Sequence, residues 1–197
     1  MQELCDKGVV RKLQVGEPEP LFVSNIVLVR GAQSGQDYRA CANLVEVNAR
    51  TRPPAHPIPD CRQVIDATHR STFFSPLDLK AGFHNIPIYQ PHRTYAGIIT
   101  QDGIYEWIRM PFGFLGAPAH FQAVLRQIFN VPEGPRQVEV YYDDITPHGT
   151  TLDEVWADTV RTIACLAKWG FMINLAKSTF LVTEATLLGF DVRDGGC

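Results

Sequence analysis

Asp143 and Asp144 stand side by side in the run Val138-Glu139-Val140-Tyr141-Tyr142-Asp143-Asp144-Ile145-Thr146, and a third carboxylate, Asp78, lies upstream in Phe73-Phe74-Ser75-Pro76-Leu77-Asp78-Leu79. Adjacent carboxylates between β-branched and aromatic residues repel each other and lose hydration unless a cation neutralises them. Three carboxylates converging from two strands can hold a pair of hard cations such as Mg²⁺. Such ions take oxygen ligands and substrate phosphates, and they clamp the attacking and leaving oxygens in phosphoryl transfer. That is the chemistry of a two-metal nucleotidyl transferase. The alternative is a solvated turn, where Asp side chains accept local backbone hydrogen bonds. Val138, Val140 and Tyr141 before the pair and Ile145 after it form a strand pattern, which puts the pair at the tip of a tight hairpin.

The remaining elements read as α+β. Gln2 to Asp6 is a short helix stopped at Gly8, and strands Phe22 to Arg30 and Tyr38 to Leu44 flank the turn-rich stretch Gly31 to Gly35. Pro53, Pro54, Pro57 and Pro59 favour an extended connection. A strand over Thr72 to Leu79 follows, then a hairpin with arms Tyr95 to Thr100 and Ile104 to Met110 joined through Asp102-Gly103. Ala117, Phe121, Val124, Leu125, Ile128 and Phe129 recur at helical spacing. A second helix starts at a capping box, Thr151 and Glu154, carries Leu152, Val155, Trp156, Val160, Ile163 and Leu166, and ends near Gly170. The last element is a hairpin, Thr179 to Thr183 and Thr186 to Val192. Pro147 cannot donate a ladder hydrogen bond, so the arm after the Asp pair is expected to be short or at an edge.

Composition bounds the function. A chain of 197 residues with 45% hydrophobic content can bury one core, or a main domain with a smaller lobe. No run of eighteen apolar residues appears and the N-terminus lacks a signal-peptide pattern. The expectation is therefore an intracellular chain, cytoplasmic or nuclear, with no membrane partner. Five cysteines are odd in number and widely spaced, so reduced thiols are expected rather than a zinc or redox motif. Eighteen Lys plus Arg against twenty-one Asp plus Glu give a net charge of −3, and composition alone speaks against nucleic acid. What matters for binding is where the charges lie, and metal-binding carboxylates count as negative until filled.

Four segments in order carry a resemblance: Ser75-Pro76-Leu77-Asp78-Leu79-Lys80-Ala81-Gly82-Phe83-His84, Gly103 to Phe114, Ala117-Pro118-Ala119-His120-Phe121-Gln122 and Tyr141-Tyr142-Asp143-Asp144. Together they resemble the reverse transcriptases of retroviruses and long-terminal-repeat retrotransposons, the gypsy-type elements above all. The resemblance runs from Glu3 to Leu188-Gly189 and covers what that family calls fingers and palm. It implies a right-hand polymerase fold, with an antiparallel palm sheet packed against helices. Residues 1–60 would be the N-terminal part of the fingers and the connection. Residues 61–197 would be palm, with part of the fingers returning within about 84–115. No length is left for a thumb or ribonuclease H domain, so further polyprotein domains are expected outside this chain. An RNA-dependent RNA polymerase shares the paired aspartates but fits poorly with Phe83 and the Tyr105 to Phe114 run.

Carried over by residue, the resemblance implies that Asp78, Asp143 and Asp144, with the Leu79 backbone, hold two Mg²⁺ ions, Mn²⁺ being a possible substitute. The partners implied are dNTP and an RNA or DNA template with its primer. Phe83 matches an aromatic gate against the ribose 2′-hydroxyl; otherwise it is core. Ala81 and Gly82 lie where backbone amides approach the triphosphate, and Lys80 beside them is implied to be nucleotide-binding. Phe112 and Gly113 match the stretch along the templating pair, and Pro118, Tyr141 and Tyr142 fall in template and primer motifs. Arg39 aligns with an arginine on the triphosphate, or is a surface arginine. Lys177 matches a proton donor to leaving pyrophosphate, or is a solvated lysine. Leu188-Gly189 corresponds to the primer grip.

Departures also stand out. Asn43 and Val45 replace the Asp and Arg usual there, and Gly31 to Gly35 lacks the fingers lysine. Intact metal ligands with a depleted phosphate grip fit either a drifting retroelement RNA-directed DNA polymerase with weak activity or a domesticated, weakly active or inactive reverse-transcriptase fold kept for scaffolding.

Overall fold

The computed structural model describes residues 1–30, 38–52 and 60–193, with the side chains of Arg30, Tyr38 and Arg39 also outside the described part. In chain order the first elements are α1 (Gln2–Asp6), β1 (Val10–Lys12), β2 (Val23–Arg30), β3 (Tyr38–Ala42), α2 (Val45–Ala49) and α3 (Cys61–Thr68). Then come β4 (Phe73–Phe74), β5 (Leu77–Asp78), β6 (Gly97–Thr100), β7 (Gly103–Trp107) and α4 (Ala117–Phe129). The chain closes with β8 (Val138–Tyr141), β9 (Asp144–Gly149), α5 (Leu152–Lys168), β10 (Glu184–Leu187) and β11 (Phe190–Arg193). No helix among the described residues is long and apolar enough to cross a membrane. The expected turn at Gly31 to Gly35 and the proline connection lie outside the described residues.

The chain divides into two compact units, one of residues 1–54 and 83–118, the other of residues 55–82 and 119–197. In the first, five strands run in the order β1-β7-β6-β2-β3, all neighbours antiparallel except β2 with β6. Its core gathers Val9, Val10, Leu44, Val47, Ile98, Tyr105 and Trp107. The α1 helix stops as expected, Gly8 taking a φ of +62° that an L side chain resists. The β6 arm is shorter than expected because a 3-10 turn, Gln90–Tyr95, occupies the residues before it. The β3 strand ends at Ala42 instead of Leu44, where the chain turns into α2.

In the second unit β9 is central, paired with β8 on one side and with β4 and β5 on the other. Phe74, Phe121, Leu125, Ile145, Val155 and Leu166 are each fully buried there, and each such side chain contributes about 1.5–3 kcal/mol of apolar burial. Two expectations about this sheet need correction. The strand read over Thr72 to Leu79 is two short strands broken at Ser75-Pro76, where buried Ser75 accepts from Leu181 N–H through Oγ at 3.1 Å. Pro147 is neither at an edge nor in a short arm. It lies within six-residue β9, opposite that break, where the ladder is already interrupted; its carbonyl still accepts from Ser75 N at 2.8 Å.

The α5 helix has the expected capping box, with both reciprocal bonds made, and terminates before Gly170 at φ +79°. Its buried face is Val155, Thr159, Thr162 and Leu166, whereas Leu152, Trp156 and Val160 are exposed. The two threonines can be buried because their hydroxyls donate to carbonyls one turn back, Val155 at 2.6 Å and Asp158 at 2.7 Å. The final hairpin is shifted from the expected arms: β10 and β11 meet at Leu188-Gly189, both with positive φ, a two-residue turn. The short elements β1, α2 and α3 carry too few periodic apolar residues to be read from sequence. Asp60 caps α3, its carboxylate accepting from Arg62 N at 3.0 Å.

Candidate active site

The second unit brings the three carboxylates together. Asp78 on β5 is the register partner of Asp144 on β9. Asp143 is at the tip of the β8–β9 hairpin, beside Tyr142, whose φ of +54° is a left-handed conformation costing an ordinary side chain about 1–2 kcal/mol. Strain of that kind persists only where neighbours enforce it. Gln122 on α4 does so: its amide donates to Val140 C=O at 2.6 Å and its carbonyl accepts from Tyr142 N–H at 2.8 Å. At 2% exposure Gln122 is sealed from water, so both bonds matter. Tyr141 and Tyr142 stack edge to face at 4.6 Å. Asp158, buried on α5, anchors the chain leading into β8 by accepting from Arg136 N, Gln137 N and Arg161.

A second clasp holds Asp78. Its N–H donates to Ser178 Oγ at 3.0 Å and its carbonyl accepts from Asn174 N–H at 2.8 Å, while Ser178 Oγ donates to Asn174 C=O at 2.9 Å. Lys80 N–H donates to Met172 C=O at 2.8 Å and Leu79 bridges to Ile173, so the segment 172–178 lies along β5. Exposed Lys177 rides on that segment, one residue before Ser178.

Electrostatics mark Asp143. Its carboxyl is pushed up to about 6, first by burial, then by Asp144 and by Asp78. Asp144, more open to solvent, is raised as well, by partial burial and then by Asp78. Asp143 Oδ1 is buried with no hydrogen-bond partner among the described residues. A hard cation would satisfy such an orphaned oxygen, and an all-carboxylate set suits Mg²⁺ or Mn²⁺ over softer ions. No three metal-ligating side chains among the described residues form a ready-made cage. Mg²⁺ does not require one, since it binds through one or two carboxylates with water and phosphates.

Gly82 has a steric reason to be glycine. A Cβ there would lie 2.6 Å from Asp143 Oδ1 and 3.0 Å from the Phe121 ring. Ala81 next to it has φ +52°. Leu188 and Gly189 form the β10–β11 turn.

The other candidates belong to the first unit. Phe83 is half-buried and packs edge-on to Phe112 at 5.2 Å. Gly113, with φ +95°, is clamped by Asn48, which donates to Gly113 C=O at 2.7 Å and accepts from Leu115 N–H at 2.9 Å. Pro118 lies in the first turn of α4, where its missing N–H costs nothing. Arg39 is on β3, opposite Val29. Asn43 accepts weakly from Val45 N at 3.4 Å, and Val45 is exposed. Sequence reasoning missed Gln122, Asn174, Ser178 and Asn48 as positioning groups. Gln122, Ser178 and Asn48 act through neutral side chains bonded to backbone groups distant in sequence, and Asn174 acts through its own backbone N–H and C=O, so a linear pattern carries no trace of any of them.

Comparison with known proteins agrees with this geometry. The family described as "Reverse transcriptase (RNA-dependent DNA polymerase)" matches residues 33–192. The retrovirus-related Pol polyprotein from transposon opus of Drosophila melanogaster is 31% identical over 197 residues, covering 100% of this chain and 19% of that polyprotein. That from transposon 297 of the same organism is 30% identical over 196 residues, covering 100% and 18%. The chain thus spans about a fifth of the length of these relatives. Among solved structures, the foamy viral protease-reverse transcriptase in complex with double-stranded DNA superposes with a TM-score of 0.83 at 25% identity, over 98% of this chain and 32% of that one. The same enzyme with an RNA/DNA hybrid gives 0.82, over 98% and 25%. The fold is that of polymerase fingers and palm, and the chain belongs to the reverse transcriptase (RNA-dependent DNA polymerase) family.

Proposed function

We propose that this chain is the nucleotidyl-transfer part of a retrotransposon-type polyprotein, extending a primer 3′-hydroxyl with dNTP on an RNA or DNA template. The supporting observation is the opposition of Asp78 and Asp144 across β5 and β9, with the unsatisfied Asp143 oxygen beside them. The family uses divalent metal ions. We assign Asp78, Asp143 and Asp144 as the ligands, with the Leu79 backbone nearby, and Mg²⁺ as the ion. When bound, the ions would lower the pKa of the attacking hydroxyl and offset charge at the α-phosphate.

The residues of the chain supply position. Gln122 fixes the hairpin tip, the 172–178 clasp fixes Asp78, and Gly82 leaves room for the Asp143 carboxylate. Ala81 and Gly82 are read as the residues whose backbone amides approach a triphosphate, and Lys80, its own N–H bonded to Met172 C=O, as a nucleotide contact through its side chain. Exposed Lys177 is the candidate to donate a proton to leaving pyrophosphate, and Arg39 to meet the triphosphate. Phe83 is read as the ring that screens the sugar 2′ position. Phe112 and Gly113 are read as nucleotide contacts along the templating pair, and Pro118, Tyr141, Tyr142, Leu188 and Gly189 as template or primer contacts. The unit of residues 55–82 and 119–197 would then be palm, and the other fingers.

The test is primer extension on an RNA template with dNTPs and Mg²⁺, by the chain alone and joined to whatever follows it in its own gene. Extension lost in Asp144→Asn is the expected result. No extension from either form, with the protein folded, would overturn the reading.

A further inference from the structure

In the unit of residues 1–54 and 83–118, four aromatic rings follow one another from Trp107 through His84 and Phe112 to Phe83. Trp107 is 2% exposed, held in the core beside Ile98 and Tyr105. His84 lies tilted against it, ring centres 5.9 Å apart at 33°. Phe112 then meets His84 edge-on at 5.1 Å and 63°, and meets Phe83 edge-on at 5.2 Å and 68°. Phe112 is 41% exposed, so surface packing alone does not fix its ring; its two aromatic neighbours do. Phe83 and His84 are consecutive in the 3-10 turn Gly82–Asn85, and Phe112 bridges the two side chains from a separate loop.

His84 is an expensive choice for packing alone. Its Nε2 and the Trp107 Nε1 are both buried without a hydrogen-bond partner among the described residues, which a Phe at position 84 would avoid in its own case. Burial, and then Lys7, hold the His84 pKa below its ordinary value, so the ring is neutral near pH 7 and sits among apolar rings without a charge to desolvate.

We infer that His84 is a positioning residue for sugar selection: braced on Trp107, it sets the ring of Phe112, and Phe112 sets the ring of Phe83. This deepens the reading of Phe83 given above and rests on it. Without the His84 ring, Phe112 loses one of its two edge contacts and can rotate, and Phe83 gains room to retreat from a ribose 2′-hydroxyl.

The experiment is the ratio of kcat/KM for a deoxynucleotide to that for the matching ribonucleotide in primer extension, for the wild type, Phe83→Val, His84→Ala, His84→Leu and His84→Phe. The expected result is a ratio lowered about tenfold in His84→Ala and His84→Leu, within the range a reshaped apolar pocket gives. Most of that change should come from a fall in KM for the ribonucleotide. His84→Phe should restore the ratio, because it restores the flat ring. A merely structural role would lower both efficiencies together and leave the ratio in place. If Phe83→Val lowers the ratio and neither His84→Ala nor His84→Leu does, the bracing role is wrong while the gate stands. If Phe83→Val leaves the ratio unchanged, the gate reading fails and the bracing role with it. His84→Leu keeps bulk in the core, so a folding failure of His84→Ala does not decide the matter.

Discussion

Asp78 and Asp144 face each other across neighbouring antiparallel strands, so the sheet itself sets two carboxylates from residues far apart in sequence at one spot. Opposed like charges destabilise a strand pair unless a cation sits between them. Calorimetric titration with Mg²⁺ in the presence of dNTP should therefore show binding to the wild type and at least about tenfold weaker binding to Asp78→Asn or Asp144→Asn. Equal affinities in all three would remove the pair from the metal site.

Asp143 makes stability depend on pH with a definite sign. Its folded pKa, about 6, lies above the ordinary 3.8, so the folded state holds the proton more tightly and the ionised form is penalised. The penalty is absent below about pH 4 and complete above about pH 6. In EDTA, Asp143→Asn should be more stable than the wild type by about 1–2 kcal/mol at pH 8, after allowance for solvent screening of a partly exposed group. The gain should vanish near pH 4. Urea unfolding at the two pH values measures it, and an equal gain at both would show that the carboxylate is not under electrostatic pressure.

Gln122 is the sole described side chain bonded to both Val140 C=O and Tyr142 N–H. Gln122→Ala should cost about 2–3 kcal/mol from two buried groups left unpaired. Gln122→Glu keeps the acceptor for Tyr142 but turns a carboxylate on the Val140 carbonyl, and should cost more at pH 8 than at pH 5. Thermal unfolding across pH checks this; a pH-independent loss in the Glu variant would contradict the bonding scheme.

Asn48 closes the 113–115 loop with two bonds to backbone. Asn48→Ala should destabilise the protein by about 1–2 kcal/mol. The Leu115 amide should then exchange with solvent at least about tenfold faster, moving toward the rate of an unprotected amide. Protection unchanged in the variant would mean that the loop is held by other contacts.

The sequence by itself determined the helices at Ala117–Phe129 and Leu152–Lys168, because spacing, a capping box and a stop glycine are local signals. It also placed the Asp pair at a tight hairpin, since alternating apolar residues flank it, but the two-residue turn is Tyr142-Asp143 and Asp144 opens β9 opposite Tyr141. Tertiary structure decided what those signals cannot encode. Pro147 fits the central strand because the chain breaks opposite it at Ser75-Pro76, and Gly82 is needed because Asp143 arrives beside it from another element. The turn at Leu188-Gly189 displaced the expected hairpin because β10 and β11 pair through it, a contact that propensity does not see. The supports of the site, Gln122, Ser178 and Asn174, are chosen by distance in space and by the need to satisfy buried backbone groups. Both conditions exist only once the chain has folded.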